Sequence, residues 1–303
     1  MIVVTGGAGF IGSNIVRGLN DAGEENILVV DNLSNAQKHL NLNKLSFTDY
    51  MDKNDFLVRL REITDIRVIF HQGACSSTTE QDGKYMMSNN YEYSKILLNH
   101  CLEHKIDFLY ASSAAVYGNG DNGFAEEPKA EYPLNVYGFS KFAFDNYVRR
   151  VLPEAEIQIL GLRYFNVYGP YQDPNSEYSA VIPIFIKNAL KNKTITIFGD
   201  GQTTRDFVFV DDVVQANLQA ALYSESDGFV INIAYGKSVT LTKLAEYIIN
   251  KTKSDSGIVY EPFRKGDVLE SLADLSQAKK LLKYNPQFDL LSGLEKTIQF
   301  FAQ

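Results

Sequence analysis

Thr5-Gly-Gly-Ala-Gly-Phe-Ile-Gly-Ser-Asn14 is the stretch of this 303-residue chain whose reading decides the fold. Four apolar or β-branched residues, Ile2 to Thr5, precede the glycines and read as a short buried strand. Gly6, Gly9 and Gly12 follow at the spacing G-x-x-G-x-x-G, and an apolar helical pattern begins at once with Phe10, Ile11, Ile15, Val16 and Leu19. A glycine triplet between a strand and a helix is the fingerprint of a dinucleotide site. One glycine permits the tight turn, one admits a pyrophosphate to the backbone, and one lets helix and strand pack closely. The helix N-terminus, at Phe10 and Ile11, adds free N–H groups and a partial positive charge. A second signal follows about twenty residues on: the strand Ile27-Leu-Val-Val ends in Asp31, where an acid can hold adenosine ribose hydroxyls.

Outward from this unit, strands and helices alternate. The run Ile66-Arg-Val-Ile-Phe reads as a buried strand ending in His71-Gln-Gly-Ala. Gln72, Gly73 and the small Ala74 suit a strand end that a cofactor crosses. A helix is expected over about 84–103, a strand over Asp107–Ala111 running into Ser112-Ser113, a helix over 136–151 and a strand over 157–164. This alternation predicts an α/β, Rossmann-type doubly wound parallel sheet. Past Arg163 the pattern loosens into a turn-rich insertion, 166–178, and long insertions of this kind are usually functional. The division expected is a cofactor domain over 1–165 and a smaller, mainly substrate-binding domain over 166–303, with later segments re-entering the first.

Composition narrows the function classes. The formal net charge is −8 and no stretch is strongly basic, which disfavours nucleic-acid binding. No apolar run approaches the length of a bilayer span. Only Cys75 and Cys101 are present, and the chain opens on a core strand, so a cytoplasmic protein without a disulfide framework is expected. His39, His71, His100 and His104 show no metal-ligand spacing, and no metal is expected. Cys75 reads as small core packing, since no histidine is placed to activate it.

Hydride transfer from an alcohol needs a group that removes the hydroxyl proton. Tyr137 and Lys141, spaced i, i+4 on one helix face, can supply it, with the lysine charge, added to that of an oxidised nicotinamide, lowering the tyrosine pKa. The same spacing recurs at Tyr91/Lys95 and Tyr247/Lys251. Only Tyr137 follows, by one loop, a strand ending in a serine pair, from which Ser113 could hydrogen-bond the reacting oxygen.

TGGAGFIG, ASSAAVYG, Tyr137-x-x-x-Lys141 and RYFNVYGP together resemble the extended short-chain dehydrogenase/reductase family, in its nucleotide-sugar epimerase and dehydratase branch. The resemblance spans essentially the whole chain. It implies an isomerase with tightly held NAD, or NADP as the alternative, that takes hydride from a sugar carbon and returns it. Ser113, Tyr137 and Lys141 match the catalytic set. Asp31 and Asn32 match the ribose contacts, Asp49 and Tyr50 the adenine edge, Ala74 the strand end on the nicotinamide side, and Asn89 a further cofactor contact. The family also suggests at least a dimer, through the helices near 85–104 and 136–151.

Two subfamilies divide the likeness. The first half is similar to bacterial ADP-glycero-manno-heptose 6-epimerase, through DYMDKNDF, GACSSTTEQDGKYMMSNNYEYSK and LNVYGFSKF. Lys38 and Lys53 match its cofactor positions, usually for NADP, and Ser76 lies in the matching sugar-side loop. The second half is similar to UDP-hexose 4-epimerases, including those of N-acetylhexosamines, through GPYQDPNSEYSAVIP, FGDGQTTRDFVFVDD and FRKGDVLESLADLSQAKKLL. There Arg205 would hold the diphosphate, and Arg264 and Asp267 phosphate and nucleotide ribose. Asn166 matches a substrate contact in both. The heptose enzyme calls for a second acid/base lysine after Pro170, and this chain has Asn175 nearest that place. A 4-epimerase needs one base, so the substrate side favours a UDP-sugar. A dehydratase is disfavoured by Ala114-Ala115, which lack its acidic pair, and a non-catalytic regulator by the intact Ser113/Tyr137/Lys141 set. Asp31 favours NAD by repelling a 2′-phosphate, whereas Lys38 could neutralise one.

Overall fold

The computed structural model describes residues 1–173, 180–223, 230–263 and 268–303. Its strands are β1 (Ile2–Thr5), β2 (Ile27–Asp31), β3 (Asp49–Asp52), β4 (Val68–His71), β5 (Asp107–Ser113), β6 (Ile159–Tyr164), β7 (Asn166–Tyr168), β8 (Ile195–Phe198), β9 (Thr204–Phe209), β10 (Val230–Ile233), β11 (Ser238–Thr240) and β12 (Ile258–Glu261). Its α-helices are α1 (Phe10–Asp21), α2 (Lys53–Arg59), α3 (Gly83–Met87), α4 (Tyr93–His104), α5 (Val136–Val151), α6 (Val181–Ala189), α7 (Val210–Ala221), α8 (Leu241–Thr252), α9 (Ser276–Leu282) and α10 (Leu290–Phe301).

Seven strands form one parallel sheet in the order β10-β6-β5-β4-β1-β2-β3. β1, β2, β4, β6 and β10 are buried at every residue, as expected of parallel strands covered on both faces. One apolar core lies on each side of the sheet. Strand order reverses between β1 and β4, and the crevice outside the strands' carboxyl ends at such a point is where ligands bind in these sheets. β10 pairs with β6, so residues 230–233 rejoin the large sheet, while α7 packs on α1. The division at 165/166 is thus crossed by later segments.

A smaller region has its own core under Tyr168, Phe185, Ile195, Phe209, Leu244 and Leu294. It is built on a three-stranded sheet, β11-β9-β7, and a parallel pair, β12-β8. α8 was not legible as a separate helix beyond its Tyr247/Lys251 spacing. The single helix expected over about 84–103 is divided: α3 and α4 flank a π-helical segment, Ser88–Glu92. Such widened turns often lie at functional sites.

Candidate active site

The glycine turn holds its shape for steric reasons. Gly6 sits at φ +66°, and a Cβ there would lie 2.7 Å from the Gly73 nitrogen. A Cβ on Gly12 would lie 2.1 Å from the Gly6 carbonyl oxygen, so only glycine lets α1 seat on the turn. Gly9, the N-cap of α1, faces open space but for that same oxygen at 3.1 Å and offers no side-chain cap. Helix-terminal N–H groups therefore remain for a ligand.

The turn opens into a cleft of about 1370 Å³ between the two regions. Gly6, Gly9, Phe10, Ile11, Gly12, Asp31, Asn32, Lys38, Lys53, Gln72, Gly73, Ala74, Ser76, Asn89, Ser113, Tyr137, Lys141, Asn166 and Arg205 all line it. Neither residue of the Tyr91/Lys95 and Tyr247/Lys251 pairs lines it; Lys95 lies by Glu92 and Lys251 by Glu295.

Three expectations need correction. Asp49 does not reach the cleft: it opens β3 opposite Leu28, at the sheet edge away from the strands' carboxyl ends, and is exposed. Tyr50 packs against the core and its hydroxyl donates to the Asp31 carbonyl (2.9 Å), so it braces the ribose corner from behind. Cys75 is half-buried on the cleft wall and does not sit in the core, whereas Cys101 is buried. Arg264, Asp267 and Asn175 lie outside the described residues.

At the adenosine end, the Asp31 carboxylate accepts from the Ala8 and Asn32 N–H groups (2.9 and 2.7 Å). Lys38 Nζ also reaches it at 2.7 Å and donates to the Asn32 carbonyl. Lys38 therefore already neutralises an anion, the buried Asp31. Lys53 donates to Asn89 Oδ1 (2.5 Å) on the π-helical segment.

At the reacting end, Ser113 closes β5 and Tyr137 lies in the first turn of α5, whose N-cap Asn135 accepts from Gly138 N–H. Burial raises the Tyr137 phenol above its usual range, and the neighbouring Ser113 hydroxyl offsets part of that rise. Lys141, 6% exposed, turns its Nζ to the Ala111 carbonyl (2.8 Å), and burial lowers its own pKa to about 8 against the pull of Asp145. On the substrate side β9 alternates faces. Arg205 and Phe207 line the cleft, while Asp206 points away and accepts from the backbone N–H groups of Tyr235, Gly236 and Ala273. A surface Arg205–Asp206 pair is thereby ruled out. Asn166 donates to the Asp206 carbonyl (2.9 Å).

Sequence reasoning missed a buried polar set behind the lysine. Arg163, fully buried in β6, is flanked by Asp145 (2.8 Å) and Glu131 (2.5 Å). A charge inside the apolar strand Ile159–Tyr164, and an acid four residues after Lys141, were the available signals.

The NAD dependent epimerase/dehydratase family model matches residues 2–234. The chain belongs to that family. Its cofactor is accordingly NAD, and the glycine turn and the Asp31 corner fit a dinucleotide. Solved structures of the family are similar over the full length. One is the UDP-glucose 4-epimerase of Thermotoga maritima with UDP-glucose, at 34% identity, covering 99% of this chain and 98% of that one, TM-score 0.90. Another is the UDP-N-acetylglucosamine 4-epimerase of Methanobrevibacter ruminantium M1 in complex with UDP-N-acetylmuramic acid, at 34% identity, 99% and 97% coverage, TM-score 0.90. A third is the UDP-glucuronic acid 4-epimerase of Bacillus cereus with UDP-glucuronic acid and NAD, at 28% identity, 99% and 98% coverage, TM-score 0.88. These likenesses run through both halves of the chain, including the half expected to resemble the heptose enzyme. Among the described residues no helix is long and apolar enough to cross a membrane.

Proposed function

We propose that this family member is a UDP-hexose or UDP-N-acetylhexosamine 4-epimerase working through a transient 4-keto sugar. The observation that carries the reading is one serine–tyrosine–lysine set on the cofactor wall of a cleft whose opposite wall carries Arg205 and Asn166. The full-length similarity to three UDP-sugar 4-epimerases supports it.

Gly6, Gly9, Gly12, Asp31, Asn32, Lys53, Asn89 and Lys141 would hold NAD, which when bound supplies the acceptor and donor of the sugar's hydride. Tyr137 takes the proton of the sugar 4-hydroxyl while Ser113 hydrogen-bonds the same oxygen. Arg205 holds the diphosphate, so the keto sugar can swing about it and present its other face. Tyr137 then returns the proton to the oxygen it came from, and one base is enough. A heptose 6-epimerase would need a second acid/base, and Tyr171-Gln-Asp173 brings no lysine to the cleft. Arg264 and Asp267 are proposed, from their motif alone, to hold the nucleotide phosphate and ribose.

The test is incubation of the protein with UDP-glucose, UDP-N-acetylglucosamine, UDP-glucuronic acid and ADP-heptose, followed by NMR of the sugar products. Inversion at C4 of a UDP-sugar is expected. Turnover of ADP-heptose alone would overturn the reading. Exposed Ile96 on α4 and Phe139 on α5, 48% and 47% accessible, support a homodimer through these helices. Light scattering at monomer mass would refute that.

A further inference from the structure

The last residues of β5 are gripped, one after another, by successive turns of α5. Asp145 Oδ1 accepts from the Tyr110 hydroxyl (3.0 Å), and Oδ2 from the Ser112 hydroxyl (2.9 Å). Between them, Lys141 Nζ donates to the Ala111 carbonyl (2.8 Å). One turn further towards the N-terminus, Tyr137 shares the cleft wall with Ser113. Residues 145, 141 and 137 are each four apart and share one helix face. The order in which they meet 110–113 is therefore a ladder whose first rung is Asp145.

That rung is buried and charged. Asp145, Arg163, Glu131 and Lys141 are each 9% exposed or less, two anions beside two cations. Arg163 gives Nε and Nη2 to Asp145 (3.1 and 2.8 Å), Nη2 to Glu131 and Nη1 to the Tyr117 hydroxyl (2.9 Å). Burying such a set is expensive, and apolar residues of similar volume often serve stability as well or better. Stability alone is thus a poor reason for charges here. Their position, one turn behind the proton-transferring pair, supplies a better one.

We propose that Asp145, with Arg163 as its buried counter-ion, is a positioning residue that fixes Tyr137 and Lys141 against Ser113. Asp145 does not line the cleft and acts only through those groups. The inference rests on the epimerase reading for its kinetic consequence, but its geometric and electrostatic content does not depend on the substrate. The charged and titratable groups around Lys141 are Asp145 and Tyr137 on its own helix and, from β4, His71, which burial keeps neutral. Tyr110 on β5 and Arg163 on β6 reach it through Asp145.

The test compares wild type with Asp145→Asn, which keeps the shape and loses the charge, in the NAD-loaded protein. With 13Cε-lysine labelling, the Lys141 signal, assigned by its loss in Lys141→Arg, is titrated by NMR. The midpoint in Asp145→Asn should fall about one pH unit below that of wild type. An unchanged midpoint overturns the proposal whatever the substrate proves to be. On the UDP-sugar that wild type turns over, kcat should drop roughly tenfold or more with KM nearly unchanged, and its high-pH limb should move down with the midpoint. A kcat and pH limb equal to wild type would also overturn it. If Asp145→Asn does not fold, the apolar double variant Asp145→Leu/Arg163→Met takes its place. It should fold, bind NAD and UDP, and lose kcat. Full turnover by that variant refutes the proposal.

Discussion

The two walls of the cleft are made in different ways. The cofactor wall comes from one continuous run, Thr5 to Lys141, in which successive strands of a single parallel sheet end along one line. The substrate wall is assembled from Asn166, Arg205, Phe207 and Ser271, brought together by short strands of mixed direction and by contacts over long chain separations. On the first wall the chemistry depends on backbone approach, which glycine spacing encodes locally. On the second it depends on where side chains meet, which spacing does not encode.

The largest effect should come from the point at which the walls face each other. Tyr137→Phe keeps the ring packing but removes the proton acceptor. Turnover of the UDP-sugar should fall by roughly a hundredfold or more while UDP still binds. If steady-state kinetics show near-normal kcat, proton transfer does not run through the cofactor wall and the division of labour fails.

Next comes the substrate wall alone. Arg205→Ala should remove a charge-assisted contact of about 1.5–3 kcal/mol, a loss of roughly 10- to 150-fold in UDP affinity by calorimetry. NAD content should not change. Loss of NAD together with UDP would mean that the walls are not separable. Some of the deficit should also appear in kcat, because the diphosphate contact positions the sugar.

How far the sequence carried follows from the same contrast. Gly6, Gly9, Gly12, Asp31 and Ser113 were legible because strand ends, turns and their residue types sit side by side in the chain. The catalytic tyrosine was chosen over two identical spacings because it followed a strand ending in serines. Asp49 was misplaced because a motif match transfers a residue, while register decides which end of a strand it occupies, and here Asp49 pairs with Leu28. Asp145 and Arg163 escaped because their local signals, an acid one turn after Lys141 and a charge in an apolar strand, do not say that the two meet between α5 and β6. Spacing also says nothing of where the lysine's ammonium ends. Helical spacing brings Lys141 to the same face, but not to the phenol, since the Ala111 carbonyl holds its ammonium.

The walls should also answer acid in opposite senses. His71, at the end of β4, is buried between Thr5 Oγ1 (2.6 Å) and Ser94 Oγ (2.8 Å), and burial lowers its pKa to about 3. Its folded value lies below the unfolded 6.5, so its stabilisation is complete above pH 6.5 and is lost as pH falls towards 3. Asp206, on the substrate side, is raised by burial to about 6, so its contribution runs the other way, growing as pH falls from 6 towards 3.8. Between pH 6.5 and 5 the His71 contribution alone should cost about 2 kcal/mol of unfolding free energy in urea titrations. Replacing His71 with Gln should flatten that part of the pH dependence and leave the Asp206 part. An identical slope in the variant would show that folded His71 takes up its proton at the ordinary pKa and is not kept neutral by burial.

The smallest effect sharpens the cofactor wall from within. Lys38 is 30% exposed at its side chain, and its partner Asp31 is 6% exposed. A partly exposed pair of this kind contributes on the order of 1 kcal/mol or less, so Lys38→Ala should barely change thermal stability. Its consequence should be selective. With Lys38 in place the negative charge of Asp31 is partly cancelled, and the site tolerates a 2′-phosphate better than a bare carboxylate would. Without it, Asp31 confronts that phosphate unscreened, while the ribose hydroxyls of NAD still find their acceptor. NADP affinity should therefore fall several-fold, and NAD affinity by about twofold at most. Competition between the two nucleotides, followed by mass spectrometry of what stays bound, reads the ratio directly. Equal losses for both would mean that Lys38 shapes the corner as a whole and does not set the charge that a 2′-phosphate meets.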